Sequence, residues 1–308
     1  MLTLANPADL GRPAVGVCMA MGLFDGVHLG HQHVVRQAVL DARASGAIPV
    51  AVTFHPHPLS IVHPDRAPRL LQSPAQRLRA LAALGLDATL LLPFDRDVAA
   101  MEGATFIERL ATGFGRLRSI TVGQGFHFGH GRTGNVPLLR ALGRSHGFAT
   151  HAVAPIHIGP ERVSSTRIRA ALREGRLGLA AELLGRPYAL GGTVVAGRQL
   201  GRQLGFPTAN IDVSGLELPP HGVYAARANL DGLRHRAVIN LGQRPTVDGG
   251  ASTPLLEVHL LDLRPDLYGR ELEVELVAWL RPERRFPSIE SLREQISHDV
   301  DSAREALG

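Results

Sequence analysis

The chain contains no lysine. All 33 of its basic residues are arginine, and 28 acidic residues leave a net charge of +5. This absence removes the chemistries that rest on an amine side chain: the phosphate-loop lysine, the Schiff base and the strand lysine of kinase-type sites. A bound phosphate must instead be met by backbone N–H groups, arginine, histidine or a metal. Cysteine is almost as scarce. Cys18 is the single one, which excludes a disulfide framework and a cysteine zinc site. Its apolar surroundings read as a small buried hydrophobe in a reducing, cytoplasmic compartment. No run approaches the roughly 20 apolar residues of a membrane helix, and no charged-then-apolar leader opens the sequence, so neither membrane nor export is expected. The arginines are dispersed without interleaved aromatics. Small anionic ligands therefore fit better than nucleic acid.

What is present suffices for two cores. The 308 residues are 44% hydrophobic, and that length suits two domains of ordinary size. The first half alternates strand-like and helix-like segments: strands at 15–21, 48–54, 88–93, 119–123 and 150–154, with helices near 30–45, 74–84, 104–112 and 136–146 between them. Such repetition predicts an α/β domain with a parallel, Rossmann-like sheet and helices on both faces. Ligands of such sheets bind at the carboxyl ends of the strands. After about residue 186 glycine and proline become dense, and short strand-like runs follow at 191–196, 222–229, 235–241, 255–262 and 271–280. These predict a small antiparallel barrel. Ser288 reads as the N-cap of a closing helix, with Ile289, Leu292, Ile296, Val300, Ala303 and Leu307 along one face. The boundary falls between 183 and 190, giving domains 1–186 and 187–308.

Three segments carry chemistry. The strand at 15–21 runs into G-L-F-D-G-V-H-L-G-H, residues 22–31. His28 and His31 flank Gly30 where a loop turns into a helix, a place with free N–H groups and a positive dipole end. Gly30 lets backbone approach a phosphate, and two imidazoles there can donate to developing charge. In E-R-V-S-S-T-R-I-R (161–169), Arg162, Ser165 and Thr166 offer cationic and hydroxyl donors, though a serine there also reads as a plain helix cap. In P-T-A-N (207–210), Thr208 and Asn210 share one side of an extended segment. Their hard oxygens suit Mg²⁺ carried on ATP phosphates; taken alone, the same segment reads as a turn.

With T-F-H-P-H-P (53–58) and V-G-Q-G-F-H-F-G (122–129), the first half resembles the flavin branch of the nucleotidyltransferases. With G-V-Y (222–224), N-L-G-Q-R-P-T (240–246), L-E-V-H-L-L-D (256–262) and D-L-Y-G-R (266–270), the second half resembles riboflavin kinases. The whole chain from about residue 15 thus resembles the bacterial bifunctional riboflavin kinase and FAD synthetase family. That resemblance implies FMN from riboflavin and ATP in the second domain, and FAD from FMN and ATP in the first. It implies ATP contacts at Gly22, Phe24 and Gly30, ATP-phosphate contacts at the catalytic His28 and His31 and at Arg162, Ser165 and Thr166, and flavin contacts at Phe54, His57, Pro58 and Gly125. In the second domain it implies ATP contacts at Gly197, Gly205, Thr208 and Asn210, and a catalytic base at Glu257. The sequence departs from the family at Gly125, where Asn or Asp is usual, and at Leu23, His55 and His127. These departures leave an alternative open: a kinase alone, with an impaired or repurposed first domain. Nothing in the residues points to an oligomeric state.

Overall fold

The computed structural model describes residues 1–195, 201, 204–244 and 253–308. By compactness the chain divides into two units, one of residues 1–69 and 74–165, the other of residues 70–73 and 166–308.

The first unit is built on six parallel strands: β1 (Leu2–Leu4), β2 (Val17–Met21), β3 (Ile48–His55), β4 (Ala88–Pro93), β5 (Leu117–Gly123) and β6 (Ala149–Val153), in the spatial order β1-β4-β3-β2-β5-β6. Between them run α1 (Leu29–Ser45), α2 (Pro58–Val62), α3 (Pro74–Ala82), α4 (Arg96–Ala100), α5 (Gly103–Phe114) and α6 (Val136–His146), and a hairpin of β7 (His157–Ile158) and β8 (Glu161–Arg162) follows. All five residues of β2 are buried, because both faces of the sheet are covered. Val17, Met19 and Met21 join Phe106, Ile107, Leu110 and Leu139 of α5 and α6 in one core. Ala20, from the opposite face, joins Val34, Val35 and Ala38 of α1 and Leu81 of α3 in another. This two-sided burial is why the strand reads as an unbroken apolar run.

The second unit contains α7 (Ser165–Arg173, all but its first residue), α8 (Leu177–Leu184) and a closed barrel. Its strands are β9 (Ala189–Val195), β10 (Ala209–Asp212), β11 (Gly222–Leu230), β12 (Leu233–Arg244), β13 (Thr253–Leu260) and β14 (Glu271–Arg281), antiparallel in the closed order β10-β13-β12-β11-β14-β9. Helix α7 and the chain just after α8 are tied to residue 217 ahead of β11. The buried Glu217 carboxylate takes two 2.8 Å hydrogen bonds from Arg173 of α7, and its carbonyl takes one of 2.6 Å from Tyr188. The closing helix α9 (Ile289–Leu307) is capped by Ser288, whose hydroxyl accepts from Ser291 N–H at 3.2 Å. Val300, Ala303 and Leu307 pack on Val223 and Ala225 of β11 and Val238 of β12. The expected apolar face does not extend to Ile289, which is 61% exposed in the first turn.

The sheet and barrel expected from sequence are both present. Most elements that escaped that reading are short: β1 has three residues, β7 and β8 two each, α2 and α4 five each, and β10, the sixth barrel strand, four. These are too short to display a period of 2 or 3.6. The eight-residue α8 was also not read from the sequence.

Candidate active sites

The strand order of the first unit reverses at β2 and β5, which lie side by side while their connections leave in opposite directions. Loops after such strands part and open a crevice at the carboxyl edge. Residues 22–28 after β2 and residues 124–128 after β5 are those loops. Gly22 starts the first because the Phe24 ring lies over it: a Cβ at Gly22 would meet that ring at 2.9 Å. Phe24 takes a left-handed backbone (φ 49°), is buried, and stands perpendicular to the His31 ring with centroids 5.4 Å apart. It thus packs against His31.

His28 caps α1 by accepting from His31 N–H through Nδ1 at 3.2 Å. In a neutral ring this leaves the proton on Nε2. The two imidazoles stack at 3.6 Å and 16°. The His28 ring lies 3.2 Å from where a Cβ at Gly30 would stand, so the absence of a side chain there makes room for that imidazole. Burial, followed by His28, Arg77 and Arg162, holds His31 well below the usual histidine range. Its Nδ1 is buried without a hydrogen-bond partner.

The second phosphate segment comes to the first through Ser165, whose hydroxyl donates to the Asp25 carbonyl at 2.9 Å across 140 residues of sequence. Arg162 contributes its charge to His31, and its Nη1 would lie 3.7 Å from a Cβ at Gly125. No other atom of the described residues lies within 4 Å of that Cβ and Gly125 does not use a left-handed backbone, so the position can hold a side chain. His127 turns back to the Gly125 carbonyl at 3.0 Å. Thr166 follows in the first turn of α7. His57 caps α2 by accepting from Leu59 N–H at 3.2 Å, and Pro58 is the first helical residue. Phe54 is buried against Phe94 and Phe106 and belongs to the core.

Sequence reasoning missed Arg77. Its guanidinium is buried, donates to the Phe54 carbonyl at 2.9 Å and the Leu23 carbonyl at 3.3 Å, and so ties the loop after β2 to the end of β3. The signal available in the sequence was an arginine four residues before Leu81, and so on the same face of α3 as that apolar residue.

In the second unit a cavity of about 470 Å³ is lined by the barrel's outer face, by residues 281–286 and by α9. Glu257 lies in it because β13 alternates: Leu256, Val258 and Leu260 are buried in the barrel core, while Leu255, Glu257 and His259 line the cavity. Cross-strand register places Asn210 of β10 on one side of Glu257 and Asn240 of β12 on the other. Burial raises the Glu257 carboxyl above the usual range; a hydrogen bond from Asn240 opposes this, and Glu283 adds to it. Thr208 and Asn210 both line the cavity. Gly205, with φ 91°, has nothing near its Cα. Gly197 lies outside the described residues. The edge that carries Glu283 is held to α9 by Arg281, which gives Asp299 two hydrogen bonds of 2.8 and 2.6 Å. Asn240 and Glu283 were not singled out from sequence, because only the pairing of strands brings them to Glu257.

Residues 12–167 match the family model described as FAD synthetase, and residues 184–307 match riboflavin kinase. The chain is 40% identical to the bifunctional riboflavin kinase/FMN adenylyltransferase of Escherichia coli K12, over 96% of this chain and 94% of that protein. The chain belongs to the bifunctional riboflavin kinase/FMN adenylyltransferase family. The member from Pseudomonas fluorescens is 39% identical over 95% of this chain and 94% of its own, and that of Bacillus subtilis 34% over 92% and 90%. A solved structure described as a macrolide-efflux protein from Streptococcus pneumoniae superposes with a TM-score of 0.80 at 28% identity over 98% of each chain. Among the described residues of this family member no helix is long and apolar enough to cross a membrane. Both halves of a bifunctional enzyme are present, so the single-activity alternative is not favoured.

Proposed function

We propose that this transferase phosphorylates riboflavin to FMN with ATP in its second unit and adenylylates FMN to FAD in its first, releasing pyrophosphate. The observation that carries the reading is that both family descriptions match in order along nearly the whole chain, with a half-buried carboxylate, Glu257, in the cavity of the second.

In the first unit the nucleophile is the FMN phosphate, already an anion, and it attacks the α-phosphorus of ATP. No base is required. The work is neutralisation and alignment, which suits His28, His31, Arg162 and the hydroxyls of Ser165 and Thr166. His57, Pro58 and the loop at Gly125 are the flavin side of the site in this reading. Phe54, being buried, shapes that side from beneath.

In the second unit the nucleophile is a ribityl hydroxyl, a neutral alcohol. Glu257 takes its proton as the oxygen attacks the γ-phosphorus of ATP, and ADP leaves. The apolar part of the cavity (Leu204, Phe206, Val238, Phe286 and Ile296) fits a flat flavin ring. Thr208 and Asn210 fit a magnesium ion bound chiefly by phosphates: among the described residues no cluster of three acidic, histidine or cysteine side chains would cage one. Mg²⁺ there would neutralise charge on the transferred phosphoryl group. The lone, buried Cys18 fits a cytoplasmic setting. We take the boundary between the two activities to fall near residue 186; the riboflavin kinase match that begins at residue 184 supports it.

The test is a chromatogram of products. Riboflavin, ATP and Mg²⁺ should give FMN and then FAD, and FMN with ATP should give FAD directly. FMN without any FAD would restrict the chain to its kinase half.

A further inference from the structure

Strands β2 and β3 run side by side as far as Met21 and Val52. The Gly22 N–H still donates to the Val52 carbonyl at 3.1 Å, and beyond it the two chains part. One continues through residues 22–28 to the His28 cap of α1 and to His31. The other continues through His55 to the His57 cap of α2 and Pro58. In the reading above these are the ATP side and the flavin side of one site. A polar knot lies where they part. The Thr53 hydroxyl donates to the Leu23 carbonyl at 2.8 Å. Arg77 Nη1 donates to the Phe54 carbonyl at 2.9 Å, the Leu23 carbonyl at 3.3 Å and the Thr53 hydroxyl at 3.4 Å. Thr53 is fully buried and Arg77 is 2% exposed. The guanidinium comes from a third element, α3, which Leu81 anchors four residues later in the core shared with α1.

For stability alone this is a poor place for an arginine. Its Nε is buried without a hydrogen-bond partner among the described residues. A buried cation with an unmet donor is harder to desolvate than an apolar side chain of similar length. What the guanidinium supplies is geometry, because a single nitrogen reaches both departing chains.

We propose that Arg77 is a positioning residue for adenylyl transfer: it fixes the loop after β2 against the loop after β3, so that FMN phosphate and ATP meet in line. The inference rests on the adenylyl-transfer reading above and deepens it. That reaction asks for no base, so alignment carries its rate, and a displacement of about 1 Å can cost roughly 10²-fold. Arg77 acts through the two carbonyls it holds and touches neither substrate.

The test is steady-state FAD formation from FMN and ATP in the full chain and in three variants, with kcat expressed per folded molecule from the melting profile of the same samples. Arg77→Met keeps the length and removes the donor. Arg77→Lys keeps a cation whose three hydrogens can serve the same acceptors. Thr53→Val keeps the shape and removes the hydroxyl from the knot. Arg77→Met should lower kcat by about 10- to 100-fold with little change in KM for either substrate, the pattern of lost alignment in the transition state. Arg77→Lys should recover most of that loss. Thr53→Val should lower kcat by about threefold to tenfold. Riboflavin phosphorylation should keep its rate in all three. A folded Arg77→Met with wild-type kcat overturns the proposal, as does a loss confined to KM or an Arg77→Lys as slow as Arg77→Met. If Arg77→Met does not fold, Thr53→Val decides, and an unchanged kcat there overturns the proposal. A wild type that makes FMN but no FAD overturns the adenylyl-transfer reading itself and this inference with it.

Discussion

The two sites differ in the sign of the charge they gather. Around His31 the first unit collects His28, Arg77 and Arg162. Around Glu257 the second collects a further carboxylate and two asparagines. The proposed reactions account for the contrast. An FMN phosphate arrives as an anion and needs its charge, and that of ATP, offset. A ribityl hydroxyl arrives neutral and needs a base. Both steps are attack on a phosphorus of ATP, so the nature of the nucleophile, and not the bond broken, explains why one site is cationic and the other acidic. Absence of lysine sharpens the point, because the cationic site is then built from arginine and histidine alone.

The comparison can be broken most severely at Glu257. Glu257→Gln should lower FMN formation by about 10² to 10⁴ while leaving FAD formation from supplied FMN intact. Equal loss of both, measured as separate product rates, would mean that the sites are not independent. Next in size is the histidine pair. His28→Ala combined with His31→Ala should slow adenylyl transfer by about 100-fold or more and spare riboflavin phosphorylation. Because His28 also caps α1, removing it costs about 1 kcal/mol of helix stability as well. His28→Asn, a good cap without an imidazole, separates the two roles: lost transfer at an unchanged melting temperature assigns His28 to the chemistry. The smallest effect should come at Gly125, which stands 3.7 Å from Arg162 Nη1 in otherwise open space. Gly125→Asn adds one hydrogen-bonding group at a position that tolerates it. A gain of about 0.5–1.5 kcal/mol would raise FAD formation up to roughly tenfold. A rate that does not rise shows that Gly125 is no handicap in this chain.

Much of this was legible in the residues. β2 and the continuous apolar run that predicts it coincide, and Ser288 caps α9 as its place before an apolar periodicity suggests. The loop-to-helix histidine pair is visible from spacing alone. Less legible was what each side chain faces. Phe24 and Phe54 stand in motifs that suggest ligand walls, yet both are buried, because aromatic area at a strand end is drawn into the nearest core. The space that a side chain at Gly30 would fill is taken by the His28 ring, a packing that spacing does not show.

The sequence by itself determined the two architectures, since hydrophobic period and turn chemistry act over a few residues and need no partner to be read. It also determined the kinds of chemistry available, since what is absent cannot be supplied by folding. Tertiary structure decided which groups meet. Ser165 reaches Asp25 across 140 residues, and Glu257 is flanked by Asn210 and Asn240 only because three strands pair in one register. A shift of one residue would turn Glu257 into the barrel core and Leu256 into the cavity. Register depends on burying one face of every strand at once, a condition on the whole barrel that no single segment contains.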